Sequence, residues 1–499
     1  MFSTTFLGHQ GWAFAAGETR VLVDPLLSTH FGHGGGVGVV YPPRRFDFTR
    51  FPAIDAVLIT HEHEDHFDVP SLTRLDRRIP ILLSAMSSAA ARTLLDEMGF
   101  QVRLVRGGDS VTVGELTIDL FPPDHLRAPE GDEWDVLQFV VRDRNGDGSF
   151  TSGVDCPMPM ATVAKIKALI GRRGLWSYAN NVTHWPFQHG GAVIETPPPT
   201  ALTLADDIAR QEAAVRERWS SPAGVLICGG GWSFIDDRQW LNHNVFPCDS
   251  HQAAEALATR LSGGPVLAPR PGQTIHMAGG EIAEVAPSAP FLSAADLGAW
   301  PSRSYAGDVA LMGDYAPACG RHDLAPGDLA GLIEDLADLG RHLYGGPLFR
   351  ALCSLDAAAL GPRRPAFALV LLTGPDRAAY VLEYDPSACA FALADTVDPI
   401  EDYVAGMECW GSDLLAAVRG DLAPTAIVFG RNRSWSHQPR ALSINGADLF
   451  WSFFHPLRRP ARFLDLYRRL LAEPAADPTC VAAASPTELR VQRRAAAAS

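Results

Sequence analysis

The sequence predicts an α/β fold followed by an additional C-terminal α+β domain. Glycine-punctuated apolar runs open the chain, and apolar runs then alternate with helical segments. One of these runs, at 56–59, has the continuous hydrophobicity of a strand buried on both faces. The composition agrees, because 47% of the 499 residues are hydrophobic and 20% are charged, as in an ordinary globular protein.

The first 125 residues are expected to be rich in strands. Glycines at positions 8, 11 and 17 separate the first apolar runs, which indicates an antiparallel meander. Beyond the buried strand, alternation of strands and helices predicts a sheet with helices packed against it. The predicted strands are 2–7, 12–15, 20–23, 56–59, 79–83 and 101–105, and the predicted helices are 70–75 and 87–98.

The same alternation continues to about residue 290. We expect the stretch 177–199, rich in aromatic residues and proline, to form a loop. The predicted strands are 110–113, 116–121, 136–141, 150–154, 224–228 and 265–267, and the predicted helices are 160–169, 204–219 and 250–261.

A cluster of Pro, Ser, Ala and Gly at 285–305 predicts a domain boundary. We therefore expect a catalytic domain at 1–290, a C-terminal α+β domain at 300–474 and a frayed tail at 475–499. In the C-terminal part the predicted helices are 325–343 and 412–419, and the predicted strands are 366–373, 379–384, 391–394 and 425–430.

Charge and cysteine usage exclude several classes of function. A formal net charge of −15 argues against a partner held by nucleic-acid phosphates. The eight cysteines form no C-x-x-C pair, as expected for free thiols in a reducing compartment. The sequence has neither a long apolar run nor a secretory signal at its start. We therefore expect a cytoplasmic protein that acts on a small-molecule substrate, without a transmembrane segment or nucleic acid.

The strongest chemical signal is the segment His-Glu-His-Glu-Asp-His at 61–66, directly after the buried strand. In an extended backbone His61 and His63 point the same way and can converge on one ion. Asp65 and His66 follow at once and can serve a second ion nearby. Imidazole and carboxylate ligands suit zinc, iron or manganese. A polar surface loop is the alternative interpretation of this segment.

This segment matches the H-x-H-x-D-H motif of the metallo-β-lactamase superfamily, which the chain resembles over about residues 1–290. Gly8-His9-Gln10-Gly11 and Leu22-Val23-Asp24-Pro25 resemble the lactonase-like branch, and the block from Asp24 to His66 resembles the catalytic domain of CMP-N-acetylneuraminate hydroxylase. The resemblance implies an αββα sandwich with two metal ions at the edge between its sheets. The C-terminal part weakly resembles a sterol-carrier-like domain.

The resemblance also implies roles for individual residues. His61, His63 and His125 would bind the first metal ion, Asp65 and His66 the second, and Asp155 would bridge the two. Asp24 would orient the loop, although an Asp before Pro25 is also a common turn residue.

One ligand of the family pattern is missing. The family supplies a last histidine after a late strand, but this chain reads Val-Leu-Ala-Pro-Arg-Pro-Gly at 266–272. His184 is the first candidate to replace it, and His243, His251 and His276 are further ones. If none does, the second metal ion keeps an open position that suits water or dioxygen.

These features leave three hypotheses for the function, two of which are enzymes. The first is a hydrolase in which a hydroxide bound to two zinc or iron ions attacks a lactone, amide or phosphodiester bond, with Asp65 orienting the nucleophile. The second is a dinuclear iron oxygenase that acts on a small metabolite and takes electrons from a redox partner or from its substrate, since the sequence has no Rieske ligand pattern. The third is a non-catalytic binding protein.

Overall fold

The computed structural model describes most of the chain. The described residues are 1–32, 36–123, 134–171, 174–180, 192–195, 204–218, 222–234, 236–239, 242, 248–261, 264–295, 314–355, 360–437, 454–472, 479–485 and 487–493. Of the helices within these ranges, none has both the length and the apolar character needed to cross a bilayer.

The strands of the first half begin at the second residue. In chain order they are β1 (Phe2–Gly8), β2 (Gly11–Ala16), β3 (Thr19–Val23), β4 (His30–Phe31), β5 (Gly38–Val40), β6 (Arg44–Phe46), β7 (Ala56–Ile59), β8 (Ile81–Ser84), β9 (Val102–Val105), β10 (Asp109–Val113), β11 (Leu116–Phe121), β12 (Gln138–Asp143) and β13 (Ser149–Ser152).

The remaining strands extend to the C-terminal tail. They are β14 (Leu175–Ala179), β15 (Ala192–Glu195), β16 (Gly224–Cys228), β17 (Trp232–Ser233), β18 (Val266–Leu267), β19 (Thr274–Ala278), β20 (Glu281–Ala286), β21 (Leu292–Ala294), β22 (Arg364–Thr373), β23 (Ala378–Asp385), β24 (Ala390–Leu393), β25 (Tyr403–Trp410), β26 (Asn432–Ser436) and β27 (Leu489–Arg493).

Helices occur in both halves of the chain. They are α1 (Val69–Thr73), α2 (Ala89–Glu97), α3 (Met160–Ile170), α4 (Leu204–Arg218), α5 (Ser250–Ala258), α6 (Pro326–His342), α7 (Pro347–Cys353), α8 (Pro399–Asp402), α9 (Gly411–Arg419), α10 (Thr425–Val428) and α11 (Pro460–Ala472).

Two eight-stranded sheets form the N-terminal sandwich within the described residues. Their strand orders are β20-β19-β1-β2-β3-β7-β8-β9 and β18-β16-β14-β13-β12-β11-β10-β27. An aromatic cluster fills the interior, where the ring of Phe150 lies 4.7 Å from that of Trp12 and 5.0 Å from that of Phe14. Apolar residues of α1 and α2 join the buried cluster outside the first sheet, and those of α3 and α5 join clusters outside the second. The predicted αββα sandwich is therefore confirmed.

The C-terminal α+β domain contains a third sheet of order β15-β26-β25-β22-β23-β24. One continuous buried cluster joins residues of this domain, such as Leu332 and Leu369, to Val57 and Leu94 of the N-terminal sandwich. The helix α11 packs against α1 and α2. The C-terminal domain therefore covers the helical layer next to the first sheet.

Three expectations about single elements are wrong. The stretch 177–199 contains strand residues, because β14 lies in the second sheet and β15 in the third. The predicted strand 425–430 is the short helix α10, because a four-residue apolar run does not distinguish a strand from a buried helix. The tail expected to be frayed contains the strand β27, which pairs with β10. Without β27, β10 would be an open edge of the second sheet.

Candidate metal centre

The segment at 61–66 lies at the carboxyl end of neighbouring parallel strands. β3 pairs with β7, and β7 with β8, all in parallel. Asp24 directly follows β3, and its backbone N–H donates to the carbonyl of Leu58 in β7 at 3.0 Å. The end of β3 and the segment after β7 therefore meet at one edge of the sheet, which is where open α/β sheets bind ligands.

Asp24 holds the start and the end of this segment together. Its Oδ1 accepts a hydrogen bond from the backbone N–H of Thr60 at 2.8 Å, and its Oδ2 accepts one from the Thr60 hydroxyl at 2.7 Å. The same Oδ2 lies 2.8 Å from Nδ1 of His66. A carboxylate on Nδ1 fixes the ring so that Nε2 is available as a ligand. This geometry supports the orienting role expected for Asp24 over that of a simple turn residue.

Asp155 lies between two buried histidines. It follows β13, and its Oδ2 is 3.4 Å from Nε2 of His61 and 3.0 Å from Nε2 of His66. Gln10 donates a hydrogen bond to its other carboxylate oxygen. Burial raises the pKa of Asp155, but the His66 charge and the close contacts with both histidines outweigh it and hold the pKa far below the usual range.

Asp65 lies on the other side of His66. Its Oδ2 is 3.3 Å from Nε2 of His66 and 2.7 Å from Nε2 of His9. Burial raises the pKa of Asp65, yet the His66 and His9 contacts lower it well below its ordinary value. Conversely, burial lowers the pKa of His66, while the carboxylates of Asp65, Asp24 and Asp155 raise it well above its ordinary value. The cluster thus concentrates negative charge around one imidazole, as a cation site does.

Two groups of donors are close enough to hold an ion. One consists of His61, His66 and Asp155, and the other of His9, Asp65 and His66, with ligand atoms within 4.8 Å of one another in each group. His61 and His66 are fully buried, whereas the side chains of Asp65 and Asp155 keep 18% and 15% of their surface exposed. A molecule from solvent therefore reaches the cluster over its carboxylates.

The other expected ligands are less completely defined. The ring of His63 lies 4.6 Å from that of His61, so it belongs to the same cluster. His125 and His184 lie outside the described residues, and so does His243. His251 is the second residue of α5 and contacts Arg270, and His276 on β19 pairs with Ser3 on β1. The ligand roles given to the residues of this centre therefore all stay predictions.

Sequence reasoning missed the residues that surround the cluster. His9 and Gln10 lie in the Gly-His-Gln-Gly turn, which was noted for its resemblance but given no role. The indole of Trp134 lies 6.0 Å from the ring of His63 and 3.9 Å from that of His455 in the C-terminal domain. The ring of His455 therefore approaches the cluster through Trp134. The sequence carries no local signal for this contact.

The rear of the segment is buried against the C-terminal domain. The carboxylate of Glu62 accepts hydrogen bonds from the backbone N–H and the hydroxyl of Ser88 at 2.7 and 2.6 Å, and from the Tyr467 hydroxyl at 3.0 Å. Burial, with the nearby charge of Asp135, raises the pKa of Glu62 to about 7. Glu64 is also buried and faces Thr425 of α10. Both glutamates of the motif therefore face away from the ligand cluster.

The donor set fits divalent metal ions. Nε2 of His66 is buried and has no hydrogen-bond partner, although it faces two carboxylates. Its Nδ1 is already held by Asp24, which leaves Nε2 as the ligand atom. Mixed imidazole and carboxylate donors suit zinc and iron equally well.

Comparison with known proteins agrees with this fold. The sequence profile of the beta-lactamase superfamily domain matches residues 19–213. Residues 19–213 are therefore similar to the β-lactamase superfamily domain, and the protein has the metallo-β-lactamase fold.

Curated relatives match shorter stretches. Protein Rv0786c of Mycobacterium tuberculosis is 32% identical over 119 residues, which are 23% of this chain and 44% of that protein. The uncharacterized protein Rv0906 of the same organism is 30% identical over 131 residues, 25% of this chain and 34% of that protein. The chain thus covers less than half the length of these relatives.

Solved structures are similar at lower identity. The chain is similar to CmlA, a diiron β-hydroxylase from Streptomyces venezuelae, at 19% identity and a TM-score of 0.36, covering 55% of this chain and 54% of that one. It is similar to isothiocyanate hydrolase from Delia radicum gut bacteria at 16% identity and a TM-score of 0.38, covering 57% of this chain and 100% of that one.

Proposed function

We propose that the protein is a dinuclear metal-dependent hydrolase that cleaves a lactone, amide or phosphodiester bond in a small molecule. The observation that carries the proposal is the position of Asp155, whose single oxygen Oδ2 lies within 3.4 Å of His61 and of His66. His66 also belongs to the second donor group, with His9 and Asp65. A carboxylate oxygen shared by two buried imidazoles, one of which extends to a second donor group, is the arrangement expected of a ligand that bridges two ions.

The ligand roles follow from this arrangement. His61, with His63 and His125, would hold the first ion, and Asp65 with His66 the second, while Asp155 would bridge them. When bound, the pair of divalent cations supplies Lewis-acid activation of water and of the scissile group. Asp24 keeps Nε2 of His66 directed at the site through the contact at Nδ1.

The chain's own groups can also handle the proton. Asp65 is the more exposed of the two site carboxylates, so it meets an incoming water and the leaving group. It would orient the attacking water and return a proton to the leaving group. Hydrolysis requires no electron source, which suits a sequence without a Rieske ligand pattern.

The test combines metal analysis with an anaerobic assay. The protein, purified without added metal, is analysed for zinc, iron and manganese, and then assayed without dioxygen on lactones, amides and phosphodiesters. We expect about two ions per chain and turnover of one of these bond types. Asp65→Asn should abolish turnover, while His276→Asn, on the distant strand β19, should retain it.

A different outcome would support the dinuclear iron oxygenase instead. That enzyme would hold about two iron ions, leave the whole anaerobic panel intact and consume dioxygen when electrons are supplied. Such a result would overturn the hydrolase proposal. A protein that contains no zinc, iron or manganese after purification, and that binds none of them when each is added, would overturn both enzymes in favour of a binding protein.

A further inference from the structure

The turn between β1 and β2 enters the candidate metal centre from a distant part of the sequence. Gly8 and His9 both have positive φ angles, +107° and +55°. A β-carbon at Gly8 would lie 2.8 Å from Cδ of Arg44, and one at Gly11 would lie 2.8 Å from the carbonyl oxygen of Asp24. Both glycines are therefore required by close packing. His9 adopts a left-handed conformation, which costs free energy in a non-glycine residue and often occurs at functional sites.

His9 is fixed in this position by its surroundings. Its backbone carbonyl accepts a hydrogen bond from the N–H of Gly229 at 2.7 Å. Its side chain is buried, and Nε2 lies 2.7 Å from Oδ2 of Asp65. The next residue, Gln10, donates to the carboxylate of Asp155. Two consecutive side chains of one turn therefore contact the two carboxylates of the candidate centre.

We propose that His9 binds the second metal ion through Nε2, in place of the last histidine that the sequence pattern lacks; this inference rests on the proposed dinuclear centre. The ligand atoms of His9, Asp65 and His66 all lie within 4.8 Å of one another. Zinc binds nitrogen and carboxylate oxygen at about 2.0–2.2 Å, so two donors on one tetrahedral ion lie about 3.3–3.6 Å apart. Oδ2 of Asp65 lies 2.7 Å from Nε2 of His9 and 3.3 Å from Nε2 of His66, so small shifts would admit an ion between them. The contact between His9 and Asp65 is then the ion-free form of two neighbouring ligands.

The other histidines that the structure describes are poorer candidates. The strand β18 ends at Leu267, and the residues after it up to Gly272 contain no histidine. His251 contacts Arg270, and His276 is paired with Ser3, five residues before the turn. Among the described residues, His9 is the additional histidine grouped with Asp65 and His66.

A role limited to orienting Asp65 is the competing explanation, and an asparagine variant separates the two. Asparagine tolerates the left-handed conformation and is a poor zinc ligand, so the size of the affinity loss distinguishes a lost ligand from a lost outer contact. The test titrates metal-free wild type and His9→Asn with zinc against a chromophoric chelator. Circular dichroism confirms that each variant is folded, and His276→Asn serves as the matched histidine control.

We expect wild type and His276→Asn to bind two ions. In His9→Asn the weaker of the two dissociation constants should rise by about 100-fold or more, because loss of an outer contact alone costs about 10–100-fold. Substitution with cobalt should show the change as a loss of visible absorption for one ion per chain. The tighter site should keep its affinity.

Two results would overturn the inference, and they differ from failure of the proposed function. If His9→Asn binds both ions with wild-type affinity, His9 only positions Asp65. If His276→Asn loses the second ion instead, the ligand is His276. If wild type itself binds a single ion, the dinuclear centre is wrong and the proposed function fails with it.

Discussion

The two sides of the segment at 61–66 lie in different environments, and we expect them to have different roles. On the front, His61 and His66 face the partly exposed carboxylates of Asp65 and Asp155. On the rear, Glu62 and Glu64 are buried against α11 and α10 of the C-terminal domain. The front carries the imidazoles and carboxylates that we propose as metal ligands, and on the rear the Glu62 carboxylate forms hydrogen bonds with Ser88 and Tyr467.

In the proposed centre, one short motif binds metal ions with the side chains of one side. Its other side stabilises the fold through buried contacts. The front draws on residues of the N-terminal sandwich, among them Asp24 and Asp155. The rear depends on Tyr467, which is 405 residues away from Glu62 in the chain. Changes on the front should therefore affect metal binding first, and changes on the rear should affect stability first.

The largest effect is expected at the front, from His66→Ala. This substitution removes the imidazole that lies near both Asp65 and Asp155. We expect the loss of at least one bound ion per chain and a fall in hydrolysis of more than about 100-fold, since even outer contacts of a metal site cost about 10–100-fold. Elemental analysis and initial rates measure both. Retention of two ions would remove His66 from the ligand set.

A smaller effect on the same side is expected from Asp24→Asn. The amide can still accept from Thr60, but it no longer offers the charged partner to Nδ1 of His66. Metal affinity should weaken by about 10–100-fold while the fold is retained. Competition with a chelator measures the affinity. Wild-type affinity in this variant would assign Asp24 to the turn alone.

On the rear, Tyr467→Phe removes one hydrogen-bond donor from the buried Glu62. The free energy of unfolding should fall by about 1–3 kcal/mol, the cost of leaving a buried polar group with one partner fewer. Urea unfolding of the metal-free protein measures the loss, and metal stoichiometry should stay at the wild-type value. If stability is unchanged but an ion is lost, the division between the two sides is wrong.

The contact between the domains near Asp236 should respond to acid. Burial raises the pKa of Asp236, but hydrogen bonds from Arg238 and the nearby charge of Arg431 outweigh it and hold the pKa at about 2. A carboxyl group that titrates near 3.9 in the unfolded chain then stabilises the fold above about pH 4, and this contribution is lost as the pH falls toward about 2.

Asp236→Asn removes that contribution. Because 39% of the side chain is exposed, solvent screening reduces the expected loss at neutral pH to about 1 kcal/mol. The difference in unfolding free energy between wild type and variant should shrink as the pH is lowered from 6 toward 3 in urea titrations. A difference that does not vary with pH would show that packing, not charge, is lost.

The smallest effect is expected from Arg468→Gln on α11, one residue after Tyr467. Arg468 pairs with Glu97 of α2 on the surface, and both side chains are largely in solvent. Exposed ion pairs contribute little because water and salt screen them. The unfolding midpoint should equal that of wild type. A clear shift would mean that the surface of α11, and not the Tyr467 contact, anchors this domain.

The sequence by itself determined the local features of this protein. The strand predicted at 56–59 was confirmed to the residue, and the helix predicted to begin near Pro70 begins at Val69. Hydrophobic runs and helix-start residues act over a few positions, so they can be recognised without the fold. The motif at 61–66 was recognisable for the same reason, because its proposed ligands lie within six adjacent residues.

The contacts between the motif and residues distant in the sequence were decided only by the tertiary structure. His9 reaches Asp65 across 56 positions, and Tyr467 reaches Glu62 across 405. The ordered tail was equally unpredictable, since β27 forms because β10 offers an unpaired edge. Such contacts depend on how distant segments close on one another, which no local pattern encodes. Most of the proposed metal ligands could therefore be recognised within six adjacent residues. The residues that surround them are brought there by the fold.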